Sequence, residues 1–328
     1  MQFRTLGNTG IKVSEIGFGG WAIGGATDAS GTPLGWGRTN DDESLATVRR
    51  ARDLGVTFFD TADSYGFGRS ESLLGIVLSR KRQDVVIATK VGVVRTPTGA
   101  LAKDFSKQHI FQAVDGSLRR LRTDYIDLYQ AHNPTIDQLR SEEIQEAMGR
   151  LQEIGKIRYW GVSISTIDEG LEIIRQNCAN ALQVLYNVLN QAPASELFPL
   201  AKEKGYGIIA RVPLASGLLS GKFRASSTFA ADDIRQNFLT PRRLEEAIPR
   251  IDEAKSIVGG AARSLAEAAL QFVLANDAVS TTIPGARSPR QVEMNIAAAE
   301  AKLPGDVVDR LRKRLGDFNF YQRHAIRI

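Results

Sequence analysis

The chain has 328 residues, of which 43% are hydrophobic and 24% charged, with a formal net charge of +5. These proportions are typical of a globular protein. No apolar run approaches the ~20 residues that cross a bilayer, so we predict no membrane partner. The basic residues are scattered and lack interleaved aromatic residues, which argues against a nucleic-acid partner.

The chain contains one cysteine, Cys178, so an intramolecular disulfide is excluded. Its first residues, 1–6, lack the apolar core of a secretory signal. Both features favour a reducing, cytoplasmic location. The sequence leaves the oligomeric state open.

Segments with strand-like and helical patterns alternate along most of the chain. The predicted strands cover residues 15–17, 56–59, 85–89, 125–130, 157–162, 182–185, 207–210 and 279–283. The predicted helices cover residues 44–54, 70–80, 107–121, 136–154, 167–176, 197–204, 243–258, 264–274 and 288–301. This α/β pattern of eight strands separated by helices predicts a (β/α)8 TIM barrel. It is preferred to an open doubly wound sheet because polar residues follow many strands.

Three further segments complete the predicted organisation. Residues 2–5 and 11–13 flank Gly7-Asn-Thr-Gly10, which indicates an N-terminal β-hairpin. Residues 221–242 form a long irregular insert after the seventh strand, a position that is often functional. Without a linker, the chain is predicted to be a single domain over 1–328, with extra helices and loops at its C-terminal end.

Residues 17–22 match a dinucleotide-binding fingerprint, G-x-G-x-x-[GA], and two acids lie about twenty residues further on. A true fingerprint opens directly into a helix, whereas Gly24-Gly25 and Gly31-Thr-Pro33 follow here. The acids, Asp41 and Asp42, resemble a helix start. We therefore reject this fingerprint and expect the glycines to allow a tight turn or a close approach to a ligand.

Reactive side chains follow three successive strands: Asp60 and Tyr65, then Lys90, then His132. Because the carboxyl ends of barrel strands meet at one face, we expect these side chains to form one site. Taken singly, each also has a structural interpretation, such as a turn cap, a loop anchor or a solvated lysine.

The densest motif is Gly55-Val-Thr-Phe-Phe-Asp60-Thr-Ala-Asp-Ser-Tyr65-Gly-x-Gly68-x-Ser70-Glu71-x-x-Leu-Gly75, and Ile-Pro-Gly-Ala-Arg occurs near the C-terminus. In these motifs the chain resembles the aldo-keto reductases over almost its full length, nearest to a bacterial NADP(H)-dependent branch. The resemblance implies a TIM barrel, NADPH/NADP+ as cofactor and reduction of aldehydes or ketones to alcohols. It assigns Asp60, Tyr65, Lys90 and His132 to the family's catalytic tetrad. We predict no metal site.

The chemistry expected of these four residues follows from carbonyl reduction. Hydride delivery to a carbonyl carbon leaves an alkoxide, which needs a proton from a positioned acid. The pKa of a phenol is about 10, so Tyr65 is useful near neutrality only if a neighbouring cation, Lys90, stabilises its phenolate. Asp60 would keep Lys90 charged, and His132 would donate a hydrogen bond to the carbonyl oxygen.

Two loops are expected to bind the cofactor. Residues 211–223 are rich in glycine and small residues, which let backbone N–H groups approach a pyrophosphate. Residues 283–295 enter a helix whose N-terminus and Arg287 suit the adenosine 2′-phosphate. By resemblance, the cofactor-binding residues are Gly20, Trp21, Asp60, Ser163, Gln183, Arg211, Pro213, Leu214, Ser216, Gly217, Lys222, Gly285, Arg287, Gln291 and Asn295.

Three positions depart from the family pattern. Ile164 stands where an asparagine is frequent, Arg211 where an aromatic residue often stacks on the nicotinamide, and Met294 where an acid is common near the adenine. For the small carbonyl substrate, we predict contacts with Trp21, Trp36 and Phe67. Two alternatives stay open: an NAD(P)-dependent sugar or polyol dehydrogenase, and a cofactor-sensing subunit similar to the β-subunits of potassium channels.

Overall fold

A computed structural model describes residues 1–25, 35–324 and 326 of the chain. The strands are β1 (Phe3–Thr5), β2 (Lys12–Ser14), β3 (Phe18–Gly19), β4 (Phe58–Asp60), β5 (Val86–Val91), β6 (Val93–Arg95), β7 (Leu101–Lys103), β8 (Ile126–His132), β9 (Ile157–Ser163), β10 (Ala181–Leu185), β11 (Gly207–Arg211) and β12 (Val279–Thr282). The helices are α1 (Asp41–Asp53), α2 (Arg69–Leu78), α3 (Lys107–Leu121), α4 (Ile136–Arg140), α5 (Glu142–Glu153), α6 (Ile167–Gln176), α7 (Leu197–Glu203), α8 (Pro241–Val258), α9 (Leu265–Leu274), α10 (Pro289–Ala297), α11 (Gly305–Leu315) and α12 (Phe320–Arg323).

Eight strands form one parallel sheet in the order β3-β4-β5-β8-β9-β10-β11-β12. Parallel bridges from Ile16 to Thr282 and from Gly19 to Gly285 join the first strand region to the last, so the sheet closes. The predicted TIM barrel is confirmed. Within the described residues, we find no helix whose length and hydrophobicity would let it span a membrane.

The register of the barrel strands fixes which side chains share a level. Asp60 pairs with Gly19 on one side and with Ala88 on the other, while His132 pairs with Ser163. Strands β5 and β8 are buried along their full length, as expected for parallel strands covered on both faces. The rigid barrel thus sets the positions of the polar residues that end these strands.

The predicted N-terminal hairpin is also confirmed, since β1 pairs antiparallel with β2. It covers the N-terminal end of the barrel, where Leu6 and Val13 pack with Phe58 and Leu128. The fit is close: a Cβ on Gly207 would lie 2.5 Å from a methyl carbon of Leu6. The hairpin therefore leaves the opposite, C-terminal end of the barrel as the open one.

Three elements differ from the sequence-based expectations. The helix predicted over 136–154 is split, because Ser141 has extended backbone angles and its hydroxyl caps α5. The first strand, predicted at 15–17, is the two-residue β3 at residues 18–19. The β6–β7 hairpin beside the barrel mouth was not predicted, since its short strands carry no buried alternating pattern.

Candidate active site

A buried ion pair links the ends of β4 and β5 to the loop that follows β4. The Lys90 ammonium donates to Asp60 Oδ2 at 2.6 Å and to the backbone oxygen of Thr61 at 2.8 Å. Its third hydrogen bond, of 3.1 Å, goes to the Tyr65 hydroxyl. The structure therefore brings three of the four predicted catalytic side chains into direct contact.

Two buried amides complete the surroundings of Asp60. Its Oδ1 accepts from Gln130 Nε2 at 3.2 Å and from Gln183 Nε2 at 2.7 Å. Gln183 Nε2 also lies 3.2 Å from Gln130 Oε1. Both carboxylate oxygens of Asp60 are thus bound, which holds the carboxylate in one orientation toward Lys90. Gln130 was not among the predicted site residues, although it follows the strand pattern of β8.

The electrostatics of Tyr65 differ from the sequence-based expectation. Burial raises the pKa of its hydroxyl above the ordinary value of 10.0, and the neighbouring Lys90 offsets only part of that rise. Burial lowers the pKa of Lys90, but Asp60 and Tyr65 together outweigh burial, so the net shift is upward. Tyr65 is therefore a protonated phenol beside a charged ammonium. A depressed phenol pKa, as the sequence argument anticipated, is not what the structure shows.

His132, at the end of β8, faces the same ring. The His132 and Tyr65 ring centres are 5.9 Å apart and nearly perpendicular, and Nδ1 lies 3.4 Å from Ser64 Oγ. Burial, followed by the charges of Lys90, Lys103 and Arg211, lowers the pKa of His132 well below 6.5. The imidazole is therefore neutral at physiological pH and can donate a hydrogen bond without carrying charge.

A cavity of about 620 Å³ opens above these residues at the C-terminal ends of the strands. Almost all of the predicted site residues line it: Trp21, Trp36, Asp60, Tyr65, His132, Ser163, Gln183, Arg211, Pro213, Leu214, Ser216, Gly217, Lys222, Gly285, Arg287, Gln291 and Asn295. A wider groove of about 1240 Å³ lies between α7 and α11, on the outside of the barrel and away from this polar cluster.

Three predicted residues, Lys90, Gly20 and Phe67, do not line the cavity. Lys90 is fully buried behind Tyr65. Gly20 lies behind the wall, where its backbone oxygen accepts from Ser70 Oγ at 2.9 Å. Phe67 is 40% exposed, with a backbone φ of +48°, and the Arg95 guanidinium lies 4.5 Å from its ring centre. Gly20 directly follows Gly19, which does line the cavity, and Phe67 lies on the outer rim.

The loop after β11 contains a tight turn with left-handed backbone angles. Ala215, Ser216 and Gly217 are consecutive and all have positive φ angles, of 49°, 56° and 93°. The Ser216 hydroxyl lies 2.9 Å from the Tyr321 hydroxyl of α12. Within this turn the N–H groups of Ala215 and Gly217 donate to the backbone oxygens of Val212 and Leu214, each at 2.9 Å.

Arg287 precedes α10 and holds another loop in place. Its guanidinium donates to the backbone oxygen of Trp36 at 2.7 Å and also contacts the backbone oxygen of Arg38. Its own N–H donates to Gln291 Oε1 at 2.7 Å. Asn295, one turn further along α10, donates to the backbone oxygen of Gly285 at 3.5 Å. Arg287 thus tethers the loop containing Trp36 to the wall of the cavity.

The insert after the seventh strand supplies site residues that sequence reasoning missed. Arg235 pairs with Asp233 at 2.5 Å, and its guanidinium lies 5.0 Å from the Phe229 ring centre and 5.6 Å from that of Trp36. The sequence singled out the insert without indicating which residues face inward. The additional lining residues are Gly19, Val212, Ser220, Phe223, Ile234, Arg235, Phe238, Ser264, Ala266, Glu267, Leu270, Ile283, Pro284 and Met294.

Two residues that depart from the family pattern contact each other. Arg211 Nη2 donates to the backbone oxygen of Ile164 at 3.1 Å, so the end of β11 is tied to the end of β9. Burial lowers the pKa of Arg211, against the opposing effects of Tyr65 and Tyr321. A bulky cation therefore occupies the wall of the cavity close to Tyr65.

Comparison with known proteins places this geometry in a family. The sequence profile of the Aldo/keto reductase family matches residues 15–315. The chain belongs to the aldo/keto reductase family. Its members are oxidoreductases of carbonyls and alcohols that use nicotinamide cofactors, and this classification applies to the chain as a whole.

Individual relatives cover nearly the whole chain. The aldo-keto reductase YhdN of Bacillus subtilis is 35% identical over 301 residues, covering 89% of this chain and 87% of that protein. The holo form of aldo-keto reductase AKR11C1 from Bacillus halodurans has a TM-score of 0.81 and 32% identity, with 99% of each chain covered. The glycerol dehydrogenase AKR11B4 from Gluconobacter oxydans has a TM-score of 0.80 and 28% identity, with 99% of this chain and 97% of that chain covered.

Proposed function

We propose that this aldo/keto reductase is an NADPH-dependent carbonyl reductase in which Tyr65 donates the proton. One observation carries the proposal: the Lys90 ammonium is bound to both the Asp60 carboxylate and the Tyr65 hydroxyl. This contact places a polarised phenol on the wall of the cavity. A phenol whose pKa is raised stays protonated near neutrality, which suits donation to a developing alkoxide.

The residues present fit a dinucleotide in an extended pose. A Cβ added to Gly285 would lie 3.1 Å from the Trp36 ring and 3.2 Å from Ala22 Cβ, so the cavity wall is close-packed there. We assign the diphosphate to the turn containing Ser216 and Gly217. We assign the 2′-phosphate to Arg287 at the start of α10, where the helix N-terminus adds attraction for anions. This assignment favours NADPH over NADH.

Each catalytic side chain then has a defined task. The nicotinamide, when bound, supplies the hydride that reduces the carbonyl carbon. Neutral His132 donates an N–H to the carbonyl oxygen, and Tyr65 donates its proton to the same oxygen as negative charge develops there. Lys90 stabilises the resulting phenolate, while Asp60, held by Gln130 and Gln183, keeps Lys90 charged and oriented.

A carbonyl panel tests this function. The purified protein should oxidise NADPH, followed by absorbance, in the presence of at least one of a range of aldehydes and ketones. It should do so with a lower KM than for NADH. Tight NADPH binding without turnover across the whole panel would contradict the proposal and support a cofactor-sensing role.

A second candidate, polyol oxidation, is favoured by the likeness to the glycerol dehydrogenase from Gluconobacter oxydans. The same tetrad serves both directions, because Tyr65 as phenolate would accept the alcohol proton. The raised pKa of Tyr65 favours the reductive direction. Oxidation of glycerol or sugars with NAD+ at a higher kcat/KM than any carbonyl reduction with NADPH would reverse this preference.

A further inference from the structure

The unpredicted β6–β7 hairpin places a lysine beside the proposed carbonyl site. Lys103, the last residue of β7, donates from Nζ to the backbone oxygen of His132 at 2.5 Å. His132 is the residue assigned above to the carbonyl oxygen. The ammonium is thereby held at the end of β8, beside the backbone of His132. Lys103 itself is not among the residues that line the cavity, and much of its side chain is exposed.

The described part of the protein gives this ammonium no close counter-charge. Among the described residues, no carboxylate lies within 4.0 Å of Lys103 Nζ, and a backbone oxygen is its one hydrogen-bond partner. Lys90 differs, because its Nζ is 2.6 Å from a carboxylate. An ammonium has three donors, so two remain for a ligand.

Two acids, Asp63 and Glu169, act on Lys103 electrostatically, but neither forms an ion pair with it. Burial, with a further contribution from Glu71, raises the pKa of Asp63 to about 8, so this carboxyl is largely protonated at neutral pH. Glu169 Oε2 accepts from the N–H groups of Ser165 and Thr166 at the start of its own helix. Although much of the side chain is exposed, partial burial lowers the pKa of Lys103 to about 8, against the opposing effects of Asp63 and Glu169.

The hairpin also carries a second basic residue on the same face as Lys103. Val93 pairs with Lys103 and Arg95 pairs with Leu101, so Arg95 and Lys103 project from the same face of the hairpin. The Arg95 guanidinium lies over Phe67 at the rim. This face of the hairpin therefore carries two basic residues, Lys103 beside the end of β8 and Arg95 against Phe67.

We propose that Lys103 is a specificity-determining residue that binds a carboxylate on the substrate, so that the preferred substrates are oxo acids or aldehydes carrying an acid group. The inference rests on the proposed function and names the substrate class of the same site. One ammonium matches the single charge of a carboxylate better than the higher charge of a phosphate, which proteins commonly bind with arginines and helix N-termini.

A pair of aldehydes of equal shape tests the proposal. 4-Formylbenzoate carries a carboxylate, and 4-formylbenzamide replaces it with a neutral amide. We expect the wild-type KM to be lower for the benzoate. Lys103→Met should raise the ratio of benzoate KM to amide KM about tenfold, the order expected for a lost hydrogen bond to a charged group. Lys103→Arg should retain the preference.

The matched control is Lys12→Met, which removes an exposed strand lysine from the hairpin at the opposite end of the barrel. It should leave the KM ratio and kcat unchanged. A Lys103→Met protein with an unchanged ratio, or with equal changes for both aldehydes, would overturn the proposal.

The substrate inference can be separated from the proposed function. Quenching of tryptophan fluorescence reports binding without turnover, because Trp21 lies 4.9 Å from the Tyr65 ring. Tighter binding of the benzoate than of the amide, lost in Lys103→Met, would support the carboxylate site even if neither aldehyde were reduced. Equal affinity for both compounds in the wild type would overturn it.

Discussion

The barrel holds a buried carboxylate in a polar network at each end. The two networks differ in whether the cation bound to the carboxylate also contacts a residue on the cavity wall. At the C-terminal end, Asp60 binds Lys90, which reaches out to Tyr65 on the cavity wall. At the N-terminal end, Asp127 binds Arg82 at 2.5 Å and Arg158 at 3.0 Å. Both carboxylates are almost fully buried.

The second network is closed on itself. Arg82 donates to the backbone oxygens of Val85 and Tyr125, each at 3.0 Å, and Asp127 Oδ2 accepts from the N–H of Ile87 at 3.0 Å. None of these groups faces the cavity. Similar buried ion pairs therefore have different roles. The Asp60–Lys90 network, called the open network because it reaches the cavity, positions a reactive phenol. The Asp127–Arg82 network, called the closed network, ties strands together, as is usual for the N-terminal end of this fold.

The largest expected effects come from removing the cation of each pair. Lys90→Met should lower the free energy of unfolding by about 3–5 kcal/mol, because it leaves the buried Asp60 carboxylate without a cation. Arg82→Met should lower it by less, because Asp127 keeps its ion pair with Arg158. Only Lys90→Met should also lower kcat, by about 10²-fold or more, in the molecules that remain folded. Denaturant unfolding and turnover per folded molecule measure the two effects. A similar kcat loss in Arg82→Met would remove the distinction.

Each end of the barrel also has an arginine that donates hydrogen bonds to backbone oxygens. Arg287 holds the loop of Trp36 at the C-terminal end, as Arg82 holds Val85 at the other end. Arg287→Met should weaken NADPH binding by about tenfold through the lost charge-assisted contacts and leave NADH binding almost unchanged. Fluorescence titration with both cofactors gives the result. Equal weakening for NADH would mean that Arg287 acts through the loop and not through the 2′-phosphate.

The smallest predicted effect concerns Asp63, a buried acid near the open network with an unsatisfied carboxyl oxygen. Asp63 Oδ1 has no hydrogen-bond partner among the described residues, and burial raises its pKa from 3.8 to about 8. The folded state therefore retains a proton that the unfolded chain loses, so Asp63 lowers stability progressively as the pH rises from about 4 to 8. Asp63→Asn should be more stable than the wild type by about 1–2 kcal/mol at pH 8.

Thermal unfolding at two pH values checks this prediction. The stabilisation by Asp63→Asn should be nearly lost near pH 4, where the carboxyl is protonated in the folded state and about half protonated in the unfolded chain. Asp127→Asn is the contrasting variant, since both of its oxygens accept hydrogen bonds from protein donors, and it should be destabilised by about 3–5 kcal/mol at pH 8. Destabilisation of Asp63→Asn at pH 8 would contradict the account.

Much of the fold could be predicted from the sequence because local patterns determine it. The bounds of α3 and α6 were predicted to the residue, and seven of the eight barrel strands overlap their predicted ranges. The break at Ser141 was missed because the apolar periodicity runs through it and the capping hydroxyl competes locally with the helix. The barrel itself was predicted by counting strand–helix units, a count that does not depend on the exact bounds of each element.

The site was predictable in its members but not in its energetics. Strand-end positions indicated that Asp60, Lys90 and Tyr65 converge, and they do. The net rise in the pKa of Tyr65 depends on how much of the barrel mouth buries the ring, which no local pattern encodes. Likewise, the contacts of Arg235 with Trp36 and Phe229 join distant segments, and the position of Lys103 depends on a hairpin whose short strands gave no signal.

The most direct test of the central claim is the turnover of Tyr65→Phe, which removes one oxygen atom and leaves the Asp60–Lys90 pair in place. With NADPH binding and thermal stability matched to the wild type, we predict that kcat for carbonyl reduction falls by about 10²–10⁴-fold. Retention of wild-type kcat in this variant would contradict the assignment of Tyr65 as the proton donor and with it the chemical role of the open network.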